Sequence, residues 1–124
     1  MRGHRDLVVW QKSMQLVRDI YRVTREFPKD EIYGLTNQLR RAAVSVPSNL
    51  AEGHGRFSRK EFRQFIGRAR GSLLEVETQL EIARDLGYLN NTTAHELLAQ
   101  ASEIARLLNG LKAWTEAALP TPDY

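Results

Sequence analysis

The sequence of 124 residues predicts an all-α fold, an antiparallel up-down four-helix bundle formed by a single domain. Apolar residues recur every three or four positions in four separate segments, which is the spacing of helices with one buried face. No window alternates apolar and polar residues over the length of a strand. The predicted connections are short, which favours antiparallel neighbouring helices. We expect an ordered core over about residues 7–118 and a C-terminal tail over 119–124.

The first helix is predicted from Leu7 to Phe27, because Pro28 pushes the residue before it out of the helical region. A helix in a lone small bundle needs one apolar stripe, and the second stripe here therefore indicates contact with another subunit. The two stripes are Leu7, Trp10, Met14, Val17, Tyr21 and Val9, Leu16, Ile20, Val23, Phe27.

The second helix is predicted to begin between residues 32 and 36 and to end at Glu52. Pro47 lies inside it, removes one backbone hydrogen bond and should kink the helix there. Gly53 and Gly55 follow, and we expect them to terminate the helix.

The third helix is predicted to run from a capping box, Ser58 followed by Glu61, to about Leu86. Gly67 and Gly71 lie inside it, and each costs about 1 kcal/mol of helix propensity relative to alanine. Close approach of a neighbouring helix would compensate for that cost, so we expect one at these glycines.

The fourth helix follows Gly87, which marks the end of the third. Thr93 and Glu96 form a second capping box and predict the start of the helix. Apolar residues at helical spacing continue to Leu111, and the helix is predicted to end before Pro120.

The composition is that of an ordinary globular protein, with 42% hydrophobic and 27% charged residues. The absence of cysteine excludes disulfides, thiol catalysis and cysteine metal sites. No segment has the composition of a signal peptide or the apolar length needed to cross a bilayer. We therefore expect a cytoplasmic protein with no membrane partner.

The charge is unevenly distributed along the chain, although the formal total is only +3. Residues 73–105 carry six acidic side chains and one basic one, whereas residues 35–72 carry eight basic and two acidic ones. This segregation predicts a polarised surface. The eight basic residues, which we take as candidates for nucleic-acid binding, are Arg40, Arg41, Arg56, Arg59, Lys60, Arg63, Arg68 and Arg70.

Catalytic and metal-binding patterns are missing from the sequence. Di-iron bundle proteins carry Glu-x-x-His motifs on paired helices, and none occurs here. Gly53 and Gly55 lack the preceding strand and the third glycine of a dinucleotide site. Glu75, Glu77 and Glu81 lack a nucleophile or oxyanion hole and are better explained as a solvated acidic face. We therefore predict no enzymatic activity, no metal and no cofactor.

Four basic residues are concentrated where the third helix begins: Arg56, Arg59, Lys60 and Arg63. Their mutual repulsion would be relieved by a polyanion, and guanidinium groups match phosphate geometry. Pairing with acidic residues of a neighbouring helix or subunit is the alternative, and the two are compatible. Phe57 could stack on a base, but its place just before the Ser58 cap predicts that it packs inward as a hydrophobic staple.

Five stretches together resemble a known family. They are Leu7 to Lys12, the Phe27-Pro28 stop, Glu31 to Arg56, Gly71 to Glu75 and Leu86 to Leu89. They are similar to the four-helix-bundle proteins encoded in 23S rRNA intervening sequences, a family that includes the accessory variability determinant of diversity-generating retroelements. The resemblance covers residues 7–114 and leaves residues 115–124 outside it.

The resemblance implies a bundle that assembles into a homopentameric, barrel-like ring. It also implies a positively charged surface, which in the retroelement members binds RNA and the reverse transcriptase. The motif residues carried over by position are Gln38, Arg40, Arg41, Ser45, Asn49, Glu52, Gly53 and Arg56, with Ser72 and Glu75 on the third helix. Near the end of the second helix, Asn49 and Glu52 suit a buried polar network or a subunit contact as well as ligand recognition.

Two function hypotheses follow. The first is a non-enzymatic oligomer that binds nucleic acid, RNA by resemblance, through the basic surface around the second and third helices. The second is a protein-interaction scaffold that docks a partner such as a reverse transcriptase and uses its charges for subunit assembly.

Overall fold

The structure is a computed structural model that describes residues 3–117. Within that range it contains four α-helices and no strand, which confirms the predicted all-α class. The helices are α1 (Val8–Thr24), α2 (Leu35–His54), α3 (Arg59–Asp85) and α4 (Asn91–Ala117), with short 3-10 helices at His4–Asp6 and Lys29–Glu31. The predicted tail, residues 119–124, lies outside the described residues.

The helices form a closed four-membered arrangement in which each contacts two others. Both α1 and α3 pack against α2 and α4. Side-chain contacts between α1 and α4 run in opposite chain directions, because Lys12 meets Glu103 whereas Asp19 meets Gln100. The antiparallel four-helix bundle predicted from the sequence is confirmed.

The core is built from one apolar face of each helix. In α1 the second of the two predicted stripes is buried, with Ile20 fully enclosed. In the first stripe, Trp10 and Val17 are only partly buried and Tyr21 is exposed. The largest fully buried side chains, each worth about 1.5–3 kcal/mol of transfer free energy, are Leu16, Ile20, Leu39, Leu50, Ile66, Leu73, Leu80, Ile104 and Leu108.

The helix ends agree with the predictions to within a turn. Ser58 caps α3 as predicted, because its Oγ accepts a hydrogen bond from the Glu61 backbone N–H at 3.1 Å. The prediction that Thr93 caps α4 is wrong. Asn90 is the cap, since its Oδ1 accepts from the Thr93 N–H at 2.8 Å. The first helix ends at Thr24 rather than at residue 27, because the following N–H groups bond three residues back and tighten the last turn.

The glycines have roles that differ from the predicted ones. Gly53 lies inside α2 instead of terminating it, and a Cβ built there would overlap the Cβ of Phe65 on α3. Gly55 is the residue that caps the helix. A Cβ at Gly67 or Gly71 would meet no atom within 4 Å, so the expected close approach of a helix there is wrong within residues 3–117.

The turn between α3 and α4 is a Schellman motif. Gly87 adopts a left-handed conformation, with φ at 80°, that other residues rarely adopt. The Tyr88 N–H bonds to the Ala83 carbonyl at 2.9 Å, and the Gly87 N–H bonds to Arg84 at 3.0 Å.

Pro47 is buried inside α2, which continues through it to His54. The kink expected there stays a prediction. No helix in the described part of the chain is both long and apolar enough to span a bilayer.

Candidate functional site

The α2–α3 connection places basic side chains at one end of the bundle. Because α2 ends at His54 and Ser58 already caps α3, only a short turn separates the two helices. Arg56 and Lys60 are exposed and Arg59 and Arg63 are half-buried. We call the four the basic turn.

The basic side chains are almost free of carboxylate partners. Arg56 is the only one of the eight candidates that forms an ion pair within residues 3–117, with Glu52 at 3.1 Å. Both side chains of that pair are well exposed, so it contributes little to stability. Glu103, in the acidic segment of residues 73–105, forms an ion pair with Lys12 of α1. Lys12 lies outside the basic segment of residues 35–72. The two charged segments therefore do not neutralise each other inside one chain.

Several arginines instead lie on aromatic rings. The Arg56 and Arg68 guanidinium carbons lie 4.9 and 4.4 Å from the centre of the buried Phe65 ring. Arg59 lies 4.3 Å from the Trp114 ring. A cation over a ring face is stabilised by the ring quadrupole and keeps its full charge. The rings thus orient these guanidinium groups without neutralising them, and within residues 3–117 only Arg56 has a carboxylate partner as well.

Phe57 is fully exposed, at 105% relative accessibility, so the prediction that it packs inward is wrong. His54 contacts Phe62 edge-on, with ring centroids 5.6 Å apart, in the place that a staple residue would take. Phe57 instead borders a cleft of about 230 Å³, which we call the aromatic cleft. It is lined by His54, Arg56, Phe57, Ser58, Arg59, Phe62, Leu111 and Trp114.

Trp114 belongs to this site although nothing in the sequence pointed to it. It comes from the last turn of α4 and lies far from Arg59 along the chain. Only the antiparallel packing of α3 and α4 brings the two together.

The other basic candidates lie elsewhere. Arg40 faces α1, where its Nε donates to Thr24 Oγ1 at 2.8 Å and its guanidinium lies over Tyr21. Arg41 lies in a groove between α2 and α3, and Arg70 is exposed on α3. The eight residues therefore do not form a single patch.

The groove between α2 and α3 gathers half of the motif residues, and we call it the polar groove. Ser72 donates to Ser45 Oγ at 2.8 Å, and Asn49 Nδ2 donates to the same oxygen at 2.9 Å, so the network joins the two helices. Two lining residues, Asn37 and Gln79, were missed by the sequence analysis, although Gln79 is one helical turn from Glu75. The groove is lined by Asn37, Gln38, Arg41, Ala42, Ser45, Ser72, Glu75 and Gln79.

Gln79 carries the one unsatisfied buried side-chain atom in the described part of the chain. Its Oε1 is enclosed and accepts no hydrogen bond. A buried acceptor without a donor costs roughly 1–3 kcal/mol. Gln79 lines the groove, so a rotation of its side-chain amide towards the opening would let a donor from outside the chain remove this cost.

A third depression, which we call the apolar groove, lies between α1 and α2. Trp10, Met14 and Val17 of the first apolar stripe line it and are partly exposed. Contact of this stripe with another subunit stays a prediction. The lining residues are His4, Trp10, Met14, Val17, Val44, Pro47, Ser48 and Ala51.

Groups of His, Asp and Glu that could hold a metal ion do not occur among residues 3–117.

The fold and the site define a class: a small four-helix-bundle protein with a basic, aromatic end and interhelical grooves along its sides. A sequence model described as 23S rRNA-intervening sequence protein matches residues 5–110. The chain belongs to this family, which confirms the resemblance seen in its motif residues.

A solved structure supports the same fold. It is the crystal structure of a protein of unknown function from the S23 ribosomal protein family of Bacteroides thetaiotaomicron. The TM-score is 0.77 at 22% identity, and the match covers 85% of this chain and 98% of the other. No curated protein matches the chain.

Proposed function

We propose that this protein is a non-enzymatic, cytoplasmic RNA-binding protein that works as an oligomer of itself, a homopentamer by family resemblance. RNA would bind at the basic turn. The observation that carries the proposal is the unneutralised charge there, since Arg59, Lys60 and Arg63 have no carboxylate partner among residues 3–117.

Uncompensated arginines and lysines bind polyphosphates by releasing condensed counterions. The logarithm of the binding constant falls with the logarithm of salt concentration, by about 0.7 per phosphate contact on single strands. An oligomer repeats the basic turn in every subunit, so an RNA chain that reaches several subunits gains affinity through multivalency.

The test is charge reversal at the two basic-turn residues that contact no aromatic ring. We expect Lys60→Glu with Arg63→Glu to weaken RNA binding and to reduce the salt slope by at least about 1.4, because two phosphate contacts are lost. Fluorescence anisotropy with labelled RNA at several salt concentrations measures both effects. The matched control is Arg25→Glu with Lys29→Glu, which makes the same charge change at exposed positions far from the basic turn.

The proposal fails if the wild-type oligomer binds no RNA. It also fails if binding is independent of salt, or if the two double variants weaken binding equally.

A second candidate is a protein-interaction scaffold that docks a partner such as a reverse transcriptase. The Gln79 side chain favours it, because its Oε1 has no donor within residues 3–117 and a rotation into the polar groove would present this oxygen to a partner's donor. In this candidate Arg41 and Glu75, at the exposed lining of the groove, pair with charged groups of a neighbour, and Arg41 does not bind phosphate.

A further inference from the structure

Two exposed aromatic residues from distant parts of the chain border the aromatic cleft. Phe57 is fully exposed in the α2–α3 turn, and Trp114 keeps 45% exposure at the end of α4. A single exposed aromatic residue is ordinary on a protein surface. Two that line one cleft between arginines form a surface that suits a flat, aromatic ligand.

Two of the polar residues that line the cleft, Arg56 and Arg59, are cationic, and the other two are His54 and Ser58. Lys60 follows on the first turn of α3. Pockets for drug-sized ligands begin at about 300 Å³, so this cleft of about 230 Å³ suits one ring system. The adjoining charges suit the phosphates on either side of it.

We propose that the aromatic cleft binds one unpaired nucleobase of single-stranded RNA, stacked against Phe57 and Trp114, with Arg56 and Arg59 on the flanking phosphates. The inference rests on the proposed function and adds that the bound RNA is single-stranded. Bases in a duplex are stacked on each other and present no free face, whereas bases of a single strand stack readily on aromatic side chains.

Arg59 prepares the cleft for this role. Its guanidinium covers one face of the Trp114 ring at 4.3 Å, so the positive charge lies next to a base that stacks on Phe57 and on the exposed part of Trp114. Base and phosphate of one nucleotide are then recognised together.

The test compares Phe57→Leu with Phe57→Trp on the intact oligomer, using a short oligoadenylate and an RNA duplex of the same length. We expect Phe57→Leu to weaken binding of the single strand about tenfold, because a stacked base is lost. Binding of the duplex and the salt slope stay unchanged, because no phosphate contact is removed. Phe57→Trp retains the affinity, which separates stacking from simple apolar contact.

The matched control is Tyr33→Leu, which removes another aromatic side chain that is 93% exposed in a different turn. It should leave single-strand binding unchanged. A second readout is tryptophan fluorescence, which oligoadenylate should quench in the wild type and in Trp10→Phe but not in Trp114→Phe.

Phe57→Leu with wild-type affinity for oligoadenylate overturns the inference and leaves the proposed function standing, provided that the charge-reversal variant still weakens binding. Equal weakening of single-strand and duplex binding by Phe57→Leu also overturns it. If the wild type binds neither RNA, the proposed function fails as well.

Discussion

At the level of single residues, arginines of the basic turn are held in place by aromatic rings, which do not neutralise their charge. Arg59 lies on the face of Trp114 and has no carboxylate partner within residues 3–117, and the same holds for Arg68 of α3 on the face of Phe65, whereas Arg56 lies on Phe65 and also pairs with Glu52. A carboxylate partner would hold a guanidinium as firmly but would cancel its charge. An aromatic ring restricts the side chain and leaves the charge available for an anion. This choice of partner is the residue-level reason to assign binding to this end of the molecule.

Another local contact, at the opposite end of the bundle, supports a prediction about pH. Glu31 Oε1 accepts from the Leu35 N–H at 3.1 Å and Oε2 from the Tyr88 hydroxyl at 2.9 Å, which ties the start of α2 to the α3–α4 turn. The Leu35 N–H, and then the Tyr88 hydroxyl, lower the pKa of Glu31 below its ordinary value of 4.5. The hydrogen bond to Glu31 in turn raises the pKa of Tyr88 above 10.0.

We expect Glu31→Gln to melt at a lower temperature than the wild type at pH 7. A lowered carboxyl pKa in the folded state stabilises the fold fully above the unfolded value of 4.5 and loses this effect as pH falls through the folded value. The difference in melting temperature should therefore narrow below pH 4.5.

Thermal melts followed by circular dichroism at several pH values measure this difference. Glu26→Gln, at an exposed position where the carboxylate makes no such contacts, is the control. A gap that stays constant down to acid pH would contradict the assigned hydrogen bonds.

At the scale of the elements, a close contact between α2 and α3 depends on the absence of a side chain at Gly53. Gly53 faces Phe65 and Phe62, and a Cβ there would overlap the Phe65 Cβ. Because that atom is attached directly to the backbone, only a shift of one helix would make room. We expect Gly53→Ala to lower the free energy of unfolding by about 1–3 kcal/mol through overpacking.

The same substitution elsewhere is the control. Gly67→Ala on α3 adds a methyl group in open space, so it should raise stability by roughly 0.5–1 kcal/mol through helix propensity. Urea unfolding of both variants, compared at equal m-values, measures the difference. Equal midpoints for the two variants would show that α2 and α3 do not meet at Gly53.

The elements also show where sequence reasoning succeeds. Helical periodicity and the Ser58 capping box predicted all four helices, because these signals depend on neighbours within one turn. Thr93 was predicted to be the cap because its Glu96 partner completes a box, but Asn90, three residues earlier, is also a good cap. The helix contact predicted at Gly67 and Gly71 was wrong, because helix propensity alone does not tell whether a glycine faces another helix or open space.

The candidate site was predicted only in part, for a related reason. The basic turn is contiguous in sequence, so its charge was visible there. The cleft also needs Trp114, and the polar groove needs Gln79 beside Arg41, which are pairs made by packing between helices. Phe57 was misassigned because His54 takes the place against Phe62 that a staple residue would fill.

At the scale of the whole molecule, three surface features have no partner among residues 3–117. Its acidic and basic segments remain unneutralised by each other, Trp10 and Val44 line the apolar groove, and Gln79 Oε1 has no donor within residues 3–117. Assembly of several chains would cover apolar surface and supply the donor. Polarised charge favours head-to-tail contacts, and such contacts close into a ring when the rotation between subunits permits.

Gln79→Leu distinguishes an assembled protein from an isolated chain, because the change has opposite effects in the two cases. In an isolated bundle it removes a buried acceptor that lacks a donor, so the melting temperature should rise. In an assembly where a neighbour donates to Oε1, it removes roughly 1 kcal/mol at each interface. We expect the second outcome, with the native mass from light scattering shifting towards the single chain on dilution.

Gln64→Leu, at an exposed position of the same helix, should leave the mass unchanged. If Gln79→Leu is more stable than the wild type and keeps the native mass, Gln79 Oε1 lies outside any subunit contact.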